Sequence, residues 1–320
     1  MKKYDIGIDL GGTKVLCAIV EKESHKVLFE VKKKTKKEKG NKKIIQKLFE
    51  ALDELFDISN IKKEDIESIS IAAAGQINRK EGILLNGCNS GVKDLNLKEI
   101  FEEKYSIKTN LFNDVEAASI AELMLGAGVD NKNILCIFIG TGIGSSIVID
   151  RKIYHGSTGC AGEIGHTIID KNGRACTCGG FGCLEAYASR SAIEARIQGL
   201  VKKGKKTIIT ELNDKQNIST KHIKTALDAH DEVTMMCVGE AIEYLSCAIA
   251  SALNFLNPDL VILGGGLIQG IDEFYLKTVK LTKTKALPLA VEHVEFKKAL
   301  LGDYSGVVGA VLAKDYYNVK

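Results

Sequence analysis

The stretch DIGIDLGGTK, residues 5–14, joins a strand pattern to a glycine turn that closes on a hydroxyl residue and a lysine. Residues 5–10 and 14–20 predict two strands joined at Gly11 and Gly12, and residues 26–32 predict a third strand of the same meander. Because glycine has no Cβ, such a turn can bring backbone N–H groups close to an anion. The chain is therefore predicted to begin with a hairpin-rich sheet that carries a candidate anion-binding turn.

Two later strand ends carry similar turns. The stretch IGTGIGS covers residues 139–145, and LGGGL covers residues 263–267. A single glycine turn is most simply a tight hairpin, but three of them at strand ends, two with a hydroxyl residue, favour a nucleotide site. The candidate nucleotide-contacting residues are Asp9, Gly11, Gly12, Thr13, Lys14, Thr141, Gly142, Gly264, Gly265 and Gly266.

Two common phosphate-binding motifs are absent from the sequence. A P-loop needs a lysine and then a serine or threonine after its last glycine, whereas the nearest candidate, GLVKKGKK at residues 199–206, ends in two lysines. The Rossmann fingerprint needs a third glycine, but Gln269 and Ser145 stand at the two positions concerned. The remaining candidate is the phosphate hairpin of the actin and hexokinase type of fold, which residues 6–14 resemble. This resemblance implies that Asp9 faces Mg²⁺ through water and that Thr13 or Lys14 contacts the phosphates of ATP.

The rest of the chain alternates strand and helix patterns. Strands are predicted at residues 66–73, 110–113, 133–140, 144–150 and 260–263, and helices at residues 44–56, 116–125 and 232–255. With two prolines and no low-complexity linker, the boundary between lobes is expected inside the fold, near residues 113–118. We therefore expect an α/β protein with a smaller lobe, residues 1–115 plus about 300–320, and a larger lobe, residues 116–299.

Composition and charge exclude several classes of protein. The 320 residues include 44 lysines and arginines against 41 aspartates and glutamates, so the net charge of +3 does not give the strong positive field of a dedicated nucleic-acid binder. No uninterrupted apolar run reaches the roughly 18 residues of a membrane span, and no secretory signal opens the chain. We expect a cytoplasmic protein without a nucleic-acid or membrane partner.

Residues 32–43 contain eight lysines. This run is most simply a solvated loop and the start of a helix, and binding of an anionic partner is the alternative.

Three of the nine cysteines form a cluster with a histidine. Cys176, Cys178 and Cys183, with His166 ten residues before the first of them, supply the three thiolates and one imidazole of a closed tetrahedral zinc site. The alternative is a group of buried thiols. Since protein would fill all four positions, the zinc is expected to be structural and to fix the loop that carries Glu163 and His166.

Four sequence elements together resemble the ROK family, named for repressors, open-reading-frame proteins and kinases. They are DLGGTK at residues 9–14, Asn113-Asp114, GEIGH at residues 162–166 and CTCGGFGCLE at residues 176–185. The resemblance covers almost the whole chain. It implies a two-lobed actin-like ATPase (ribonuclease H-like) fold, usually dimeric, and either an ATP-dependent kinase of hexoses or N-acetylhexosamines or a sugar-responsive repressor.

The resemblance also implies roles for individual residues. Asp114 would be the general base, taking the proton of a sugar hydroxyl as its oxygen attacks the γ-phosphorus. Asn113 would hold a neighbouring hydroxyl, although an Asn-Asp pair also suits a helix cap. The implied sugar site comprises Gly75, Asn89, Asn113, Asp114, Glu163, His166 and Glu185.

Two departures from the family pattern affect which sugar the site is expected to bind. Residues 72–76 read AAAGQ where many glucokinases of the family have a proline before the glycine, and Glu116 stands where a second asparagine is usual. The expected substrate is glucose, phosphorylated at its 6-hydroxyl, and N-acetylmannosamine is the next candidate.

Two alternative functions make different demands on the sequence. A transcriptional regulator would need a DNA-binding module ahead of the first strand. A non-catalytic sensor would lack the base or a phosphate turn.

Overall fold

The computed structural model describes residues 2–12, 14–35, 40–87, 91–212 and 218–318. The chain divides into two compact units. The first contains the residues up to Val129 together with those from Asp303 onward, and the second runs from Asp130 to Gly302. Both units are α/β, as the sequence predicts.

The first unit is built on a five-stranded sheet. Its strands are β1 (Tyr4–Leu10), β2 (Lys14–Glu21), β3 (Val27–Lys34), β4 (Ile66–Ala73), β5 (Gly75–Asn78), β6 (Ile83–Gly87), β7 (Lys93–Asn96) and β8 (Lys108–Asn113). Its helices are α1 (Asn41–Ser59), α2 (Leu97–Tyr105), α3 (Asp114–Leu125) and α12 (Ser305–Asn318). The main sheet has the order β3-β2-β1-β4-β8, in which β1, β4 and β8 are parallel, while β5, β6 and β7 form a separate small sheet.

The two faces of this main sheet have different roles. On one face, Ile6 and Ile8 of β1 join a core that α1 and α2 complete. On the other face, α12 crosses β1 so closely that a Cβ at Gly7 would lie 2.3 Å from the carbonyl oxygen of Val307. Alternate residues of a strand point to opposite faces, so Asp9 lies on the α12 face with Gly7.

The second unit repeats the strand order of the first. Its strands are β9 (Ile134–Ile139), β10 (Ile143–Ile149), β11 (Lys152–Ile153), β12 (Leu260–Gly264) and β13 (Glu295–Lys298), in the order β11-β10-β9-β12-β13. Its helices are α4 (Glu185–Ala188), α5 (Arg190–Lys202), α6 (Ile209–Leu212), α7 (Thr220–Asp228), α8 (Glu232–Leu256), α9 (Gly266–Gly270), α10 (Asp272–Lys285) and α11 (Pro288–Glu292). The β9–β10 turn therefore occupies the topological position that the β1–β2 turn has in the first unit.

Helix α8 is long and apolar enough, by length and composition, to pass as a membrane span. A buried core helix passes the same test, and Val238, Ile242, Leu245 and Ile249 of α8 lie in the core of the second unit. The apolar composition of α8 is explained by this packing.

The boundary between the units lies after Val129 rather than near residues 113–118. Helix α3, which the sequence predicts as part of the larger lobe, belongs to the first unit because it packs against α12. A Cβ at Gly309 of α12 would lie 1.9 Å from the carbonyl oxygen of Ala117 in α3. Two helices that approach this closely are held as one body.

Candidate functional site

The predicted site residues of the first unit lie at one edge of its main sheet. Leu10, Ala73 and Asn113 are aligned across β1, β4 and β8, so the carboxyl ends of the three parallel strands are level. Ligands of open α/β sheets bind at this edge. The residues placed there are Asp9, Gly11, Gly12, Lys14, Gly75, Asn113 and Asp114. Thr13 and Asn89 lie outside the described residues.

Asn113 fixes the start of α3 and the turn after β4. Its side-chain oxygen accepts hydrogen bonds from the backbone N–H groups of Val115 and Glu116, at 3.0 and 3.1 Å. Its amide donates to the carbonyl oxygen of Gly75 at 3.2 Å. Asn113 is thus the N-cap of α3, the alternative role considered for the Asn-Asp pair. Asp114 is the first residue of the helix and is half-buried.

Asp9 carries the most perturbed carboxyl of this edge. Burial, together with the negative charge of Asp114, raises the pKa of Asp9 to about 7, although the positive charge of Lys14 opposes the shift. A cation beside Asp9 would relieve both unfavourable effects. The charge environment of Asp9 therefore fits the predicted Mg²⁺.

Replacing Asp9 with asparagine should remove a pH-dependent loss of stability. The pKa of Asp9 rises from 3.8 to about 7 on folding, so the folded protein keeps a proton that the unfolded chain releases over this range. The stability of the ligand-free protein should fall as the pH rises from about 4 to about 7, by on the order of 4 kcal/mol for this group. Urea unfolding at several pH values measures the fall. Equal pH dependence in Asp9→Asn and the native protein would contradict this assignment.

In the second unit, the β9–β10 turn is tied to Glu185. The backbone N–H of Ile143 donates to Oε2 of Glu185 at 2.8 Å, and the Thr177 hydroxyl donates to its Oε1 at 3.1 Å. A Cβ at Gly142 would lie 2.4 Å from that Oε2, so glycine is required for the contact. Glu185, predicted to bind sugar, and Gly142, predicted to bind nucleotide, are therefore neighbours.

Replacing Gly142 with alanine should destabilise the ligand-free protein by roughly 0.5–1.5 kcal/mol, because the Glu185 carboxylate must move away and lose the hydrogen bond from Ile143. Gly140→Ala is the matched control. It lies in the same turn, and a Cβ there meets no described atom within 4 Å; neither glycine adopts the left-handed region. Denaturant midpoints of the two variants measure the difference, and equal midpoints would contradict the role given to Gly142.

Arg190, which no sequence motif indicates, also holds the β9–β10 turn. Arg190 donates through Nη2 to the hydroxyl of Thr141 at 2.9 Å and through its backbone N–H to the carbonyl of Gly140 at 2.9 Å. Arg190 and the turn lie about 50 residues apart in sequence. No local spacing links them, so only the fold reveals this contact.

The third glycine turn has a packing explanation. A Cβ at Gly264 would lie 2.6 Å from the ring of Phe138, and one at Gly265 would lie 2.5 Å from the carbonyl of Ile139. Gly266 has no such close neighbour; the nearest described atom is the Thr220 hydroxyl at 3.6 Å. The first two glycines are thus required for close contact of β12 and α9 with β9, and the nucleotide role of this turn stays a prediction.

The four predicted metal ligands form one cluster. One ligand atom from each of His166, Cys176, Cys178 and Cys183 lies within 4.8 Å of all the others. Nδ1 of His166 is 3.8 Å from Sγ of Cys176, and the Sγ atoms of Cys178 and Cys183 are 3.7 Å apart. The set of donors and their mutual distances fit a single tetrahedral zinc ion.

The surroundings of the thiols also favour a cation. The backbone N–H of Gly180 lowers the pKa of the Cys178 thiol, whereas burial raises that of Cys183 to about 12. A buried thiol of this kind becomes a thiolate at neutral pH when a metal ion is bound to it. The loop has little apolar support of its own, since Ile168 and Phe181 are 69% and 62% exposed.

The loop that carries Glu163 and His166 is attached to β10. The backbone N–H of Ile164 donates to the Ser145 hydroxyl at 3.2 Å, and this hydroxyl donates in turn to the Gly162 carbonyl. Glu163 and His166 are exposed side chains on either side of buried Ile164 and Gly165. Their carboxylate and imidazole can therefore reach a ligand.

Glu116 is held by partners within the first unit. Nη1 of Arg79 lies 3.2 Å from its Oε1, and the Tyr317 hydroxyl also donates to it. The guanidinium of Arg79 lies 3.8 Å above the ring of Tyr317. Neither partner is predictable from local sequence, because Arg79 and Tyr317 are both distant from Glu116 along the chain. Glu116, which stands where the family usually has a second asparagine, thus links the β5–β6 turn to α3 and α12.

Comparisons with known proteins extend these observations. A model of the ROK family matches residues 5–315. The chain is 33% identical to a glucokinase of Halalkalibacterium halodurans over 310 residues, which are 96% of this chain and 93% of that protein. It is 28% identical over 306 residues to a putative xylose repressor of a Caldicellulosiruptor species, covering 96% of this chain and 76% of that one. A ROK glucokinase from Streptomyces griseus, solved in complex with glucose and AMPPNP, matches with a TM-score of 0.82 at 27% identity over 96% of this chain and 97% of that one.

Proposed function

Because the chain belongs to the ROK family, we propose that it is an ATP-dependent sugar kinase that transfers the γ-phosphate to a hexose hydroxyl. The observation that carries the proposal is the edge of the first sheet, where Asp114 and the glycine turn after Asp9 stand on level strand ends. This is the combination that phosphoryl transfer to an alcohol requires, a base and a phosphate cradle. The similarity to glucokinases over almost the full chain supports it.

The residues have distinct roles in the proposed reaction. Asp114 takes the proton of the attacking hydroxyl, and Asn113 holds both the helix that begins at Asp114 and a neighbouring hydroxyl. The backbone of Gly11 and Gly12, with Thr13 and Lys14, binds phosphate, as Thr141, Gly142 and the 264–266 turn do in the second unit. Mg²⁺, when bound near Asp9, neutralises charge on the phosphates.

The sugar hydroxyls are bound, in this proposal, by Glu163, His166 and Glu185, with Gly75 and Asn89. Two carboxylates accept hydrogen bonds and one imidazole N–H donates, which suits a polyol. Zinc on His166, Cys176, Cys178 and Cys183 fixes the imidazole in one tautomer, so that its other nitrogen faces the ligand. The zinc has a structural role.

Glucose is the proposed substrate, with N-acetylmannosamine next. ADP release from Mg-ATP, compared across glucose, mannose, fructose, N-acetylglucosamine and N-acetylmannosamine, identifies the acceptor. The highest kcat/KM with glucose supports the first choice, and a preference for an N-acetylhexosamine overturns it. Product analysis then shows whether the 6-hydroxyl carries the phosphate.

The repressor relative favours a second candidate function, a sugar-responsive regulator. The same assay separates the two. If the protein binds sugar but forms no ADP with any sugar of the panel, the result would favour the regulator or a non-catalytic sensor. Because catalysis requires a base, retention of Asp114 in this chain supports the kinase.

We also propose that the protein is a cytoplasmic homodimer. Light scattering on the purified chain tests the dimer, with a mass of twice 34.7 kDa as the expected result. A monomer at all concentrations contradicts it.

A further inference from the structure

Two lysines of the first unit share one carboxylate oxygen. Nζ of Lys14 lies 3.2 Å from Oδ2 of Asp303, and Nζ of Lys32 lies 3.1 Å from the same atom. The two ammonium groups are therefore within about two hydrogen-bond lengths of each other. Lys14 ends the proposed phosphate-binding turn, whereas Lys32 is the first residue of the lysine run 32–43, which is most simply explained as a solvated segment.

The fold gains little from this arrangement. Lys32 is directly opposite Leu16 on β2, and Lys34 is directly opposite Lys14, so three lysines project from one face of the hairpin. Like charges across a strand pair are destabilising. The side chains of Lys32 and Asp303 are 50% and 66% exposed, so their ion pair contributes little and separates readily.

The lysines and Asp303 lie beside the proposed phosphate site. Leu16 of β2 lies opposite both Asp9 of β1 and Lys32 of β3, so Lys32 is level with the end of β1, and Asp303 pairs with both Lys32 and Lys14. A Cβ at Gly306, in the first turn of α12, would lie 2.8 Å from Cγ of Asp9. The face of the sheet that holds Asp9 therefore also holds the two cations.

We propose that Lys32 is a second cationic ligand, beside Lys14, for the polyphosphate chain of the nucleotide, and that Asp303 occupies both ammonium groups until the nucleotide displaces it. The inference rests on the proposed function, since it assigns these residues to the ATP site. One phosphate oxygen replaces the Oδ2 atom that the two lysines now share. The hydrogen bond from Lys32 and the positive charge of Lys14 lower the pKa of Asp303, so that it is an anion when phosphate competes with it.

Nucleotide binding to three variants tests the proposal. Lys32→Gln should weaken binding of Mg-ATP about tenfold in calorimetric titrations, because a charge-assisted contact is lost, and should leave AMP binding unchanged. Asp303→Asn should strengthen Mg-ATP binding, since the competing anion is removed. Lys33→Gln is the matched control, because Lys33 is the next residue, points to the opposite face and pairs with Glu54.

The results with these variants support or overturn the roles proposed for Lys32 and Asp303. If Lys32→Gln and Lys33→Gln bind Mg-ATP with the native affinity, Lys32 is not a ligand. If Asp303→Asn weakens binding as Lys32→Gln does, Asp303 supports the site and does not compete for it. Native protein that binds Mg-ATP but phosphorylates no sugar would overturn the kinase function alone, whereas native protein that does not bind Mg-ATP would overturn both.

Discussion

Replacing Asp114 with asparagine should lower kcat for sugar phosphorylation by about 10²- to 10⁴-fold, because the amide cannot accept the hydroxyl proton. The variant should remain folded. The side chain of Asn113, and not that of Asp114, caps α3, so the helix start is retained. Sugar affinity, measured by calorimetry, should stay within a few fold of the native value, since asparagine has nearly the shape of aspartate.

Glu99→Gln is the control for this experiment. It also removes a carboxylate from the first turn of a helix in the same unit, but Glu99 lies on α2 and is exposed. Its kcat should equal that of the native protein. A kcat for Asp114→Asn within a few fold of native would show that another group takes the proton.

Replacing Cys178 with serine should release the zinc and lower the melting temperature by on the order of 10 °C. The loop between His166 and Cys183 buries few apolar side chains, as exposed Ile168 and Phe181 show, so metal bonds supply much of its stability. Activity should fall with the metal, because His166 loses its fixed orientation.

Metal content by mass spectrometry and thermal unfolding on the same samples measure both effects. Cys160→Ser provides the control, since Cys160 is an exposed free thiol outside the cluster. It should keep one zinc per chain and the native melting temperature. A Cys178→Ser protein with full activity and no bound metal would refute a structural role for the zinc.

Local patterns made much of the fold predictable. Family membership and the α/β class are confirmed, and the β4 strand has the predicted bounds of residues 66–73. The metal cluster was visible because three of its ligands fall within eight positions of one another, so spacing alone brings them together. Such signals need no knowledge of tertiary structure.

Other features depend on contacts between distant residues. Helix α12 was not predicted because its residues from Gly306 to Lys314 are all buried, between the sheet and α3, and so show no helical alternation. The small sheet of β5, β6 and β7 is not predictable from local pattern because its strands have only four or five residues, and β5 and β7 are mostly polar. The pairing of Asp303 with Lys14 and the contact of Glu185 with the β9–β10 turn arise only when the chain is folded.

The most direct test of the kinase proposal is ADP formation from Mg-ATP with and without glucose, combined with ³¹P spectroscopy of the product. The account predicts that ADP appears in proportion to a new sugar phosphomonoester and that omission of glucose stops both. A protein that binds glucose and Mg-ATP, yet forms neither ADP nor a phosphomonoester with any sugar of the panel, would contradict the kinase assignment and leave the regulator as the better account.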